Sequence, residues 1–373
     1  MQEQRISDKE AICIITSFIM GSTLITGISN NAKNDAWISV ILGMLFSVPM
    51  FLIYSRIISL FTDKNLFKIL DTIFGKYIGK FVSVLYIWYA FHLGALVTRN
   101  FGEFVNTVTM PETPMLVLMI SLMFVCIVAV KLGVEVTGRM AVFFMPIMVA
   151  MLVFVQILAI PQLKINNIKP ILKDILPVLQ GGFSAFAFPF AETVLAMGAF
   201  NSLETKRSPF KIYFSALIFT GIIIIIITLR NIAILGRLMD NLYFPSYVAV
   251  SQIRIGYFLQ RMEVTVAFIF TITILCKTIV CLLTVCNGIA YVFNLKEYKS
   301  VTIQTGILMT LFAYIVYNNI SDMYNWFNIY PFYALPFQVI LPIIIWIVAE
   351  VKIKSERNKD NRIKKNNKKY NES

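Results

Sequence analysis

Charge is what this chain has least of. Only 14% of its 373 residues are Asp, Glu, Lys or Arg, while 58% are hydrophobic and the mean hydropathy is +0.75. A soluble domain carries about 25% charged residues, so the shortage excludes one and leaves an integral membrane protein. Histidine occurs once, as His92. No nucleophile–His–acid set, HExxH motif or phosphate-binding loop is present, and the chain is not read as an enzyme. Its five cysteines (Cys13, Cys126, Cys276, Cys281, Cys286) lie in apolar segments without metal-ligand spacing. They read as small core residues, and neither a metal nor an organic cofactor is expected. The first apolar run lacks a small-residue cleavage site, so no cleavable signal peptide is expected. A net charge of +13 would suit nucleic acid, but nine of the 33 Lys/Arg fall in the last 23 residues. Most of the others flank apolar spans, and no nucleic-acid partner is expected.

What the chain has instead is a succession of apolar runs, each near the roughly 20 residues that cross a bilayer. Ten are counted, at about 9–30, 36–60, 80–106, 114–131, 139–160, 177–200, 210–234, 264–294, 300–318 and 332–350. The division is a short N-terminus over 1–8, a membrane domain over 9–350, and a tail over 351–373. Within the domain, 9–160 and 177–350 form two sets of five. Ten spans put both termini on one side. With the N-terminus inside, 22 of the 33 Lys/Arg face the cytoplasm and seven face outward. Both termini are therefore expected to be cytoplasmic. The lysine- and asparagine-rich tail should be disordered and attracted to anionic lipid, with topology fixing as its plainer role.

Two spans contradict their own hydrophobicity. The sixth carries Gly181-Gly182, Phe186, Phe188, Pro189 and Glu192. Proline removes a helical hydrogen bond, and a carboxylate at membrane depth costs about 2.5–3.5 kcal/mol unless paired or hydrated. The first carries Gly21-Ser22-Thr23-Leu24-Ile25-Thr26-Gly27. These glycines alone would mean close helix packing as readily as unwinding. Interruptions at matching places in the two halves instead point to an inverted-repeat transporter fold with a midplane site. A half-helix starting near Thr23–Ile25 would aim free N–H groups at an anion, and freed carbonyls would take a cation. An amino acid suits that geometry. Glu192 then either binds its ammonium or carries a proton.

Two further spans bring polar residues to the same depth. In the third, Trp88, His92, Arg99 and Glu103 share a face, with Arg99 and Glu103 spaced as an i,i+4 pair. His92 reads first as a hydrogen-bonded structural residue and second as a proton sensor. In the eighth, Thr273, Lys277, Thr284 and Asn287 share a face, and Lys277 is too deep to snorkel. Its expected partner is Glu192 or a carbonyl of the first break. It either stands where a sodium ion stands in a sodium-coupled transporter or forms a structural ion pair. Beyond the seventh span, the aromatic loop at about 235–263 reads as a short helix pair capping the pocket or as an interfacial anchor.

The Gly21–Gly27 break, the Gly181–Phe186 stretch with Pro189 and Glu192, and the loop Phe244-Pro245-Ser246-Tyr247 through Ile255–Glu263 resemble the spore germination permease family. These are the B-subunits of GerA-type nutrient germinant receptors, within the amino acid–polyamine–organocation superfamily. The resemblance spans about residues 5–350. It implies an all-α membrane protein of about ten transmembrane helices in two inverted five-helix repeats, with broken first and sixth helices. It further implies the inner membrane of a spore, an A-subunit and a lipoprotein C-subunit as partners, and recognition of a small nutrient, often an amino acid. From the superfamily pattern, Gly21, Ser22, Thr23, Thr26 and Gly27 would meet a ligand carboxylate, and Phe186, Phe188 and Pro189 its amine and side chain. The superfamily does not supply Glu192 or Lys277. Those two, with His92, Thr273 and Thr284, rest on the residues themselves. Two functional readings share this pocket: a permease-like sensor that triggers germination, and a proton-coupled amino acid transporter.

Overall fold

The computed structural model describes residues 6–27, 30–62, 64–200, 203–204, 208–253 and 261–355. The basic tail beyond residue 355 and the loop residues 254–260 lie outside them.

Among the described residues, ten helical segments cross the molecule. The first begins at a capping box, in which Ser7 Oγ accepts from Glu10 N–H and Glu10 Oε2 accepts from Ser7 N–H. It runs as α1, Asp8–Met20, breaks at Gly21-Ser22, and resumes for a single turn as α2, Thr23–Thr26. Next come α3 (Ala36–Leu60), α4 (Leu66–Val108), α5 (Met115–Leu132) and α6 (Val134–Ala159). The sixth span is α7, Ile175–Ala185, an irregular stretch over 186–195, and α8, Ala196–Ala199. Then follow α9 (Pro209–Leu235), the short α10 (Pro245–Ser251), α11 (Glu263–Val292), α12 (Thr302–Ile315) and α13 (Ile320–Leu335). The last continues helically to residue 355 through a π-helical turn at Pro336–Ile340. Eight of these segments are long and apolar enough to span by that measure alone. The broken first span, with 13 residues in α1, and the 14-residue α12 fall short of it.

The first and sixth spans run side by side in opposite directions. Ile6-Ser7 (β1), just before α1, pairs in parallel with Leu203-Glu204 (β2), just after α8. At the other end, where the first span finishes and the sixth starts, Asn34 Nδ2 donates to Lys169 O and Asp35 accepts from Leu172 N–H. The start of one span thus meets the end of the other at both faces of the bundle.

Burial separates centre from periphery. Of the apolar window in Ile175–Ala199, 83% of residues are buried, against 22% in Val134–Gln162. The α4 and α11 helices join the central group, whereas α5, α6 and α13 expose Phe124, Phe143, Ile157 and Phe332. Such faces suit lipid, which offers apolar surface no reason to hide.

Three boundaries differ from those expected. The third span is preceded by two turns, Leu66–Phe74, that bend into it at Gly75 (φ 77°) and bury Phe67, Ile69 and Leu70. Their six apolar positions in nine residues are too short a run to be counted as a span. Gly181 and Gly182 lie inside regular helix α7 rather than at the break. Gly182 is instead a close-approach position, since an added Cβ would sit 2.8 Å from Leu42 Cβ. The outer loop supplies one helix, α10, after a 3₁₀ turn at Gly236–Asn241, and a second helix would fall on residues that are not described.

Close packing of α3 on α7 generates a test. A Cβ on Gly43 would lie 2.6 Å from Ala185 Cβ and 2.9 Å from Phe186 N. Gly43→Val should destabilise by about 1–3 kcal/mol through overpacking, read as a lowered melting temperature in detergent. Gly75 has nothing within 4 Å of such a Cβ, so Gly75→Ala should cost only its left-handed backbone, about 1–2 kcal/mol.

Candidate functional site

The two breaks come together around one ion pair. Lys277 Nζ lies 2.5 Å from Glu192 Oε2, and both side chains are fully buried. Lys277 rises from α11 past the first break, where a Cβ on Gly21 would be 2.6 Å from its Cδ. Only glycine lets the lysine pass. Its ammonium also faces the rings of Phe18 and Phe188, 5.1 and 4.8 Å from their centroids. Glu192 sits in the irregular stretch after Pro189, where Phe188 is extended (φ −134°, ψ 112°) and the Phe188–Pro189 peptide is cis.

The second carboxylate oxygen opens a chain of hydrogen bonds. Tyr330 Oη donates to Glu192 Oε1 at 2.5 Å and lies 3.0 Å from Tyr89 Oη. Gln338 Nε2 donates to Tyr89 Oη at 2.7 Å and to Ala187 O at 2.8 Å. The chain therefore leaves the sixth span at Glu192, crosses α13 and α4, and returns to it at Ala187. Tyr54 and Tyr86 donate to Gln338 O and Phe337 O, carbonyls in the π-helical turn. Unwound backbone at this depth survives because side chains reach it.

The polar face expected on the eighth span is used along its whole length. Thr273 Oγ1 donates to Gly21 O at 3.4 Å, Thr284 Oγ1 to Leu195 O at 3.2 Å, and Asn287 Nδ2 to Gly198 O at 3.1 Å. Thr273 and Thr284 thus hold the broken backbone of the first and sixth spans. At the first break, Thr23 Oγ1 donates to Ile19 O and Thr26 Oγ1 to Ser22 O, while Asn100 Nδ2 donates to Ser22 Oγ. Ser22 and its neighbours lie at the break, and the amide of Ser22 has no backbone acceptor among the described residues. The half-helix beyond them is shorter than expected. Its one turn closes at Gly27 (φ 74°), against which Pro245 of α10 packs.

The third span turns differently from expectation. Arg99 and Glu103 do pair, at 2.8 Å, and Arg99 also donates to Tyr314 O. Trp88 and His92 face α12 and α13, however, and not the break. His92 stacks on Trp88 at 5.7 Å and meets Phe312, Trp326 and Tyr333 edge-on, and its Nδ1 has no hydrogen-bond partner among the described residues. Rings hold it, where a hydrogen bond was expected. The face that reaches the site carries Tyr86, Tyr89 and Asn100 instead. Tyr54, Tyr86, Tyr89, Tyr330 and Gln338 were all missed from sequence. Gln338 alone carried a signal, as an amide inside an apolar run.

Phe186, Phe188 and Pro189 form the wall beside the pair. Phe188 stacks on Phe327 at 5.6 Å, and Phe186 on Phe183 at 6.3 Å.

Two inverted five-helix repeats, each with a broken leading helix and a buried polar centre between them, define a membrane protein of transporter type. The fold matches solved transporters over nearly all of the chain. A nucleobase-cation-symport-1 family transporter, Mhp1, in a closed conformation with bromovinylhydantoin bound, superposes with a TM-score of 0.69, covering 92% of this chain and 78% of its own at 12% identity. MhsT in complex with L-phenylalanine gives 0.61, covering 93% of this chain and 99% of its own at 14% identity. Sequence then narrows the class: the chain belongs to the spore germination protein family, whose pattern matches residues 5–323. Relatives include spore germination protein KB of Bacillus subtilis (strain 168), 29% identical over 98% of this chain and 100% of its own. The putative spore germination protein YfkT of the same organism is 24% identical over 86% of this chain and 89% of its own.

Removing one partner of a buried pair costs about 3–5 kcal/mol, whereas replacing both is often neutral. Lys277→Met and Glu192→Gln should each lower stability by that order, and the double variant should recover most of it. A double-mutant cycle of thermal unfolding in detergent reads the coupling, and simple additivity would argue against the pair.

Proposed function

We propose that this chain is the permease-like subunit of a spore nutrient germinant receptor. It binds a small nutrient, an amino acid, at the membrane midplane and reports that arrival to an A-subunit and a lipoprotein C-subunit. It lies in the spore's inner membrane with both termini in the cytoplasm, consistent with the Lys/Arg distribution. The observation that carries the reading is the Lys277–Glu192 pair wedged between the two breaks.

That pair is an internal copy of a bound ligand's charge. Lys277 Nζ occupies the position beside Glu192 that a ligand ammonium would take. The amide of Ser22, with no backbone acceptor among the described residues, offers a donor for its carboxylate, with Thr26 and Gly27 closing the turn behind it. Phe186, Phe188 and Pro189 supply an apolar and aromatic wall. When an amino acid displaces Lys277 from Glu192, the lysine must move along Gly21 and the two breaks shift together. The ligand thus binds the two states differently, which is what a sensor requires. His92 stands outside this exchange, two rings away through Tyr333 and Tyr330.

A second reading, proton-coupled amino acid transport, is favoured by the unbroken run of hydroxyls from Glu192 through Tyr330 to Tyr89. No metal or organic cofactor enters either reading.

Uptake by the purified chain in liposomes separates the two, with a mixture of the twenty labelled amino acids as probe. Sensor function predicts binding without accumulation, and robust uptake by the chain alone would sink it. In spores whose germination depends on this receptor, Pro189→Leu and Gly27→Trp should abolish the nutrient response while the protein still inserts. Lys277→Met should alter both the response and its pH dependence. Normal behaviour of all three would reduce the breaks to packing features.

A further inference from the structure

Of Arg56, Arg99, Arg230 and Lys277, four cationic side chains of the spans, three have a carboxylate. Arg56 pairs with Glu350, Arg99 with Glu103 and Lys277 with Glu192. The fourth, Arg230 in the last turns of α9, has none among the described residues, although it is only 4% exposed. Its Nε and Nη2 both donate to one neutral acceptor, Asn231 Oδ1, at 3.2 and 2.8 Å. Asn231 Nδ2 in turn donates to Ser246 Oγ of α10 at 2.9 Å, and both of those residues are buried too. A guanidinium has five N–H donors in a fork that matches a carboxylate. Here two of the five converge on a single amide oxygen.

Burying an unpaired cation is costly, and an amide dipole offsets little of that cost. The position is specific as well. Ser246 follows Pro245, whose Cγ lies 3.5 Å from where a Cβ on Gly27 would sit. Arg230 is therefore linked through Asn231 to α10, which packs on the end of the first span.

We propose that Arg230 is an anion subsite that takes the carboxylate of a small organic acid, and that the incoming nutrient's acid group docks there before reaching the first break. The second half of this statement rests on the nutrient-binding reading above; the first half does not. Docking would draw the guanidinium off Asn231 Oδ1, loosening the Asn231–Ser246 contact that tethers α10.

The test uses the purified full chain in detergent, titrated with sodium acetate against sodium isethionate at constant ionic strength. The wild type should show a saturable rise in melting temperature with acetate, because a ligand of the native state stabilises it by mass action. Arg230→Met should melt no lower than the wild type in isethionate and lose the acetate response. Asn231→Asp supplies an internal carboxylate, so it should melt higher than the wild type and also ignore acetate. It serves as the second variant if Arg230→Met fails to fold. No acetate effect in the wild type, or an equal effect in both variants, would overturn the subsite. In spores, either variant should need about tenfold or more nutrient for the same germination rate, the loss expected of one charge-assisted contact. An unchanged dose–response would overturn the docking role. A chain that binds no nutrient yet still shows the Arg230-dependent acetate effect would remove the earlier functional reading and leave the subsite standing.

Discussion

A charge pair sealed at membrane depth cannot be held by one helix, and this requirement shapes the centre of the molecule. Lys277 needs a glycine to pass, so the first span must have Gly21 there. Glu192 needs its two oxygens answered, so the sixth span must present it from irregular backbone, with Lys277 on one oxygen and Tyr330 on the other. That irregular backbone frees carbonyls, and each has to find a donor. Thr284, Asn287 and Gln338 are there to provide them. Polar contacts join the first, second, third, sixth, eighth and tenth spans at the centre, while the outward faces of the peripheral spans are apolar.

Much of this was legible before any coordinates, and the limits are instructive. Span number, the two breaks, the Arg99–Glu103 pair and the polar face of the eighth span follow from composition, proline, and spacing of three, four and seven. Lys277 and Glu192 stood out because ionisable groups are costly in lipid. The tyrosines did not. A tyrosine in an apolar run has the same local signature as a lipid-facing ring or an interfacial anchor, and only its neighbours in space reveal that its hydroxyl is a link. The rotation of the third span was hidden for a similar reason. Trp88 and His92 look like a polar stripe from spacing, but the packing of α4 against α11 sets which side faces the site. His92 then falls among rings and not among hydrogen-bond partners.

Fold and family speak to different questions. Likeness to Mhp1 and MhsT, at 12% and 14% identity, concerns architecture. Membership of the spore germination protein family concerns biological setting. Between them stands the site, which carries its own cation. A pocket already satisfied when empty resists opening until something replaces what fills it. Under the receptor role proposed above, that property would suit a protein which must stay silent for long periods, since the pair is fully buried from water.

The short parallel bridge between Ile6-Ser7 and Leu203-Glu204 bears on how such a signal leaves the membrane. It fastens the beginning of one broken span to the end of the other, on the face opposite α10. Joined there, and again through Asp35 and Leu172 at the far face, the two spans cannot tilt independently. They form a rocker with a fixed crossbar. Under the proposed exchange, a shift at the midplane, where the lysine sits, would be felt at that crossbar. Under the function proposed above, the bridge is where an exchange of charges deep in the bilayer would become a change of shape at its surface.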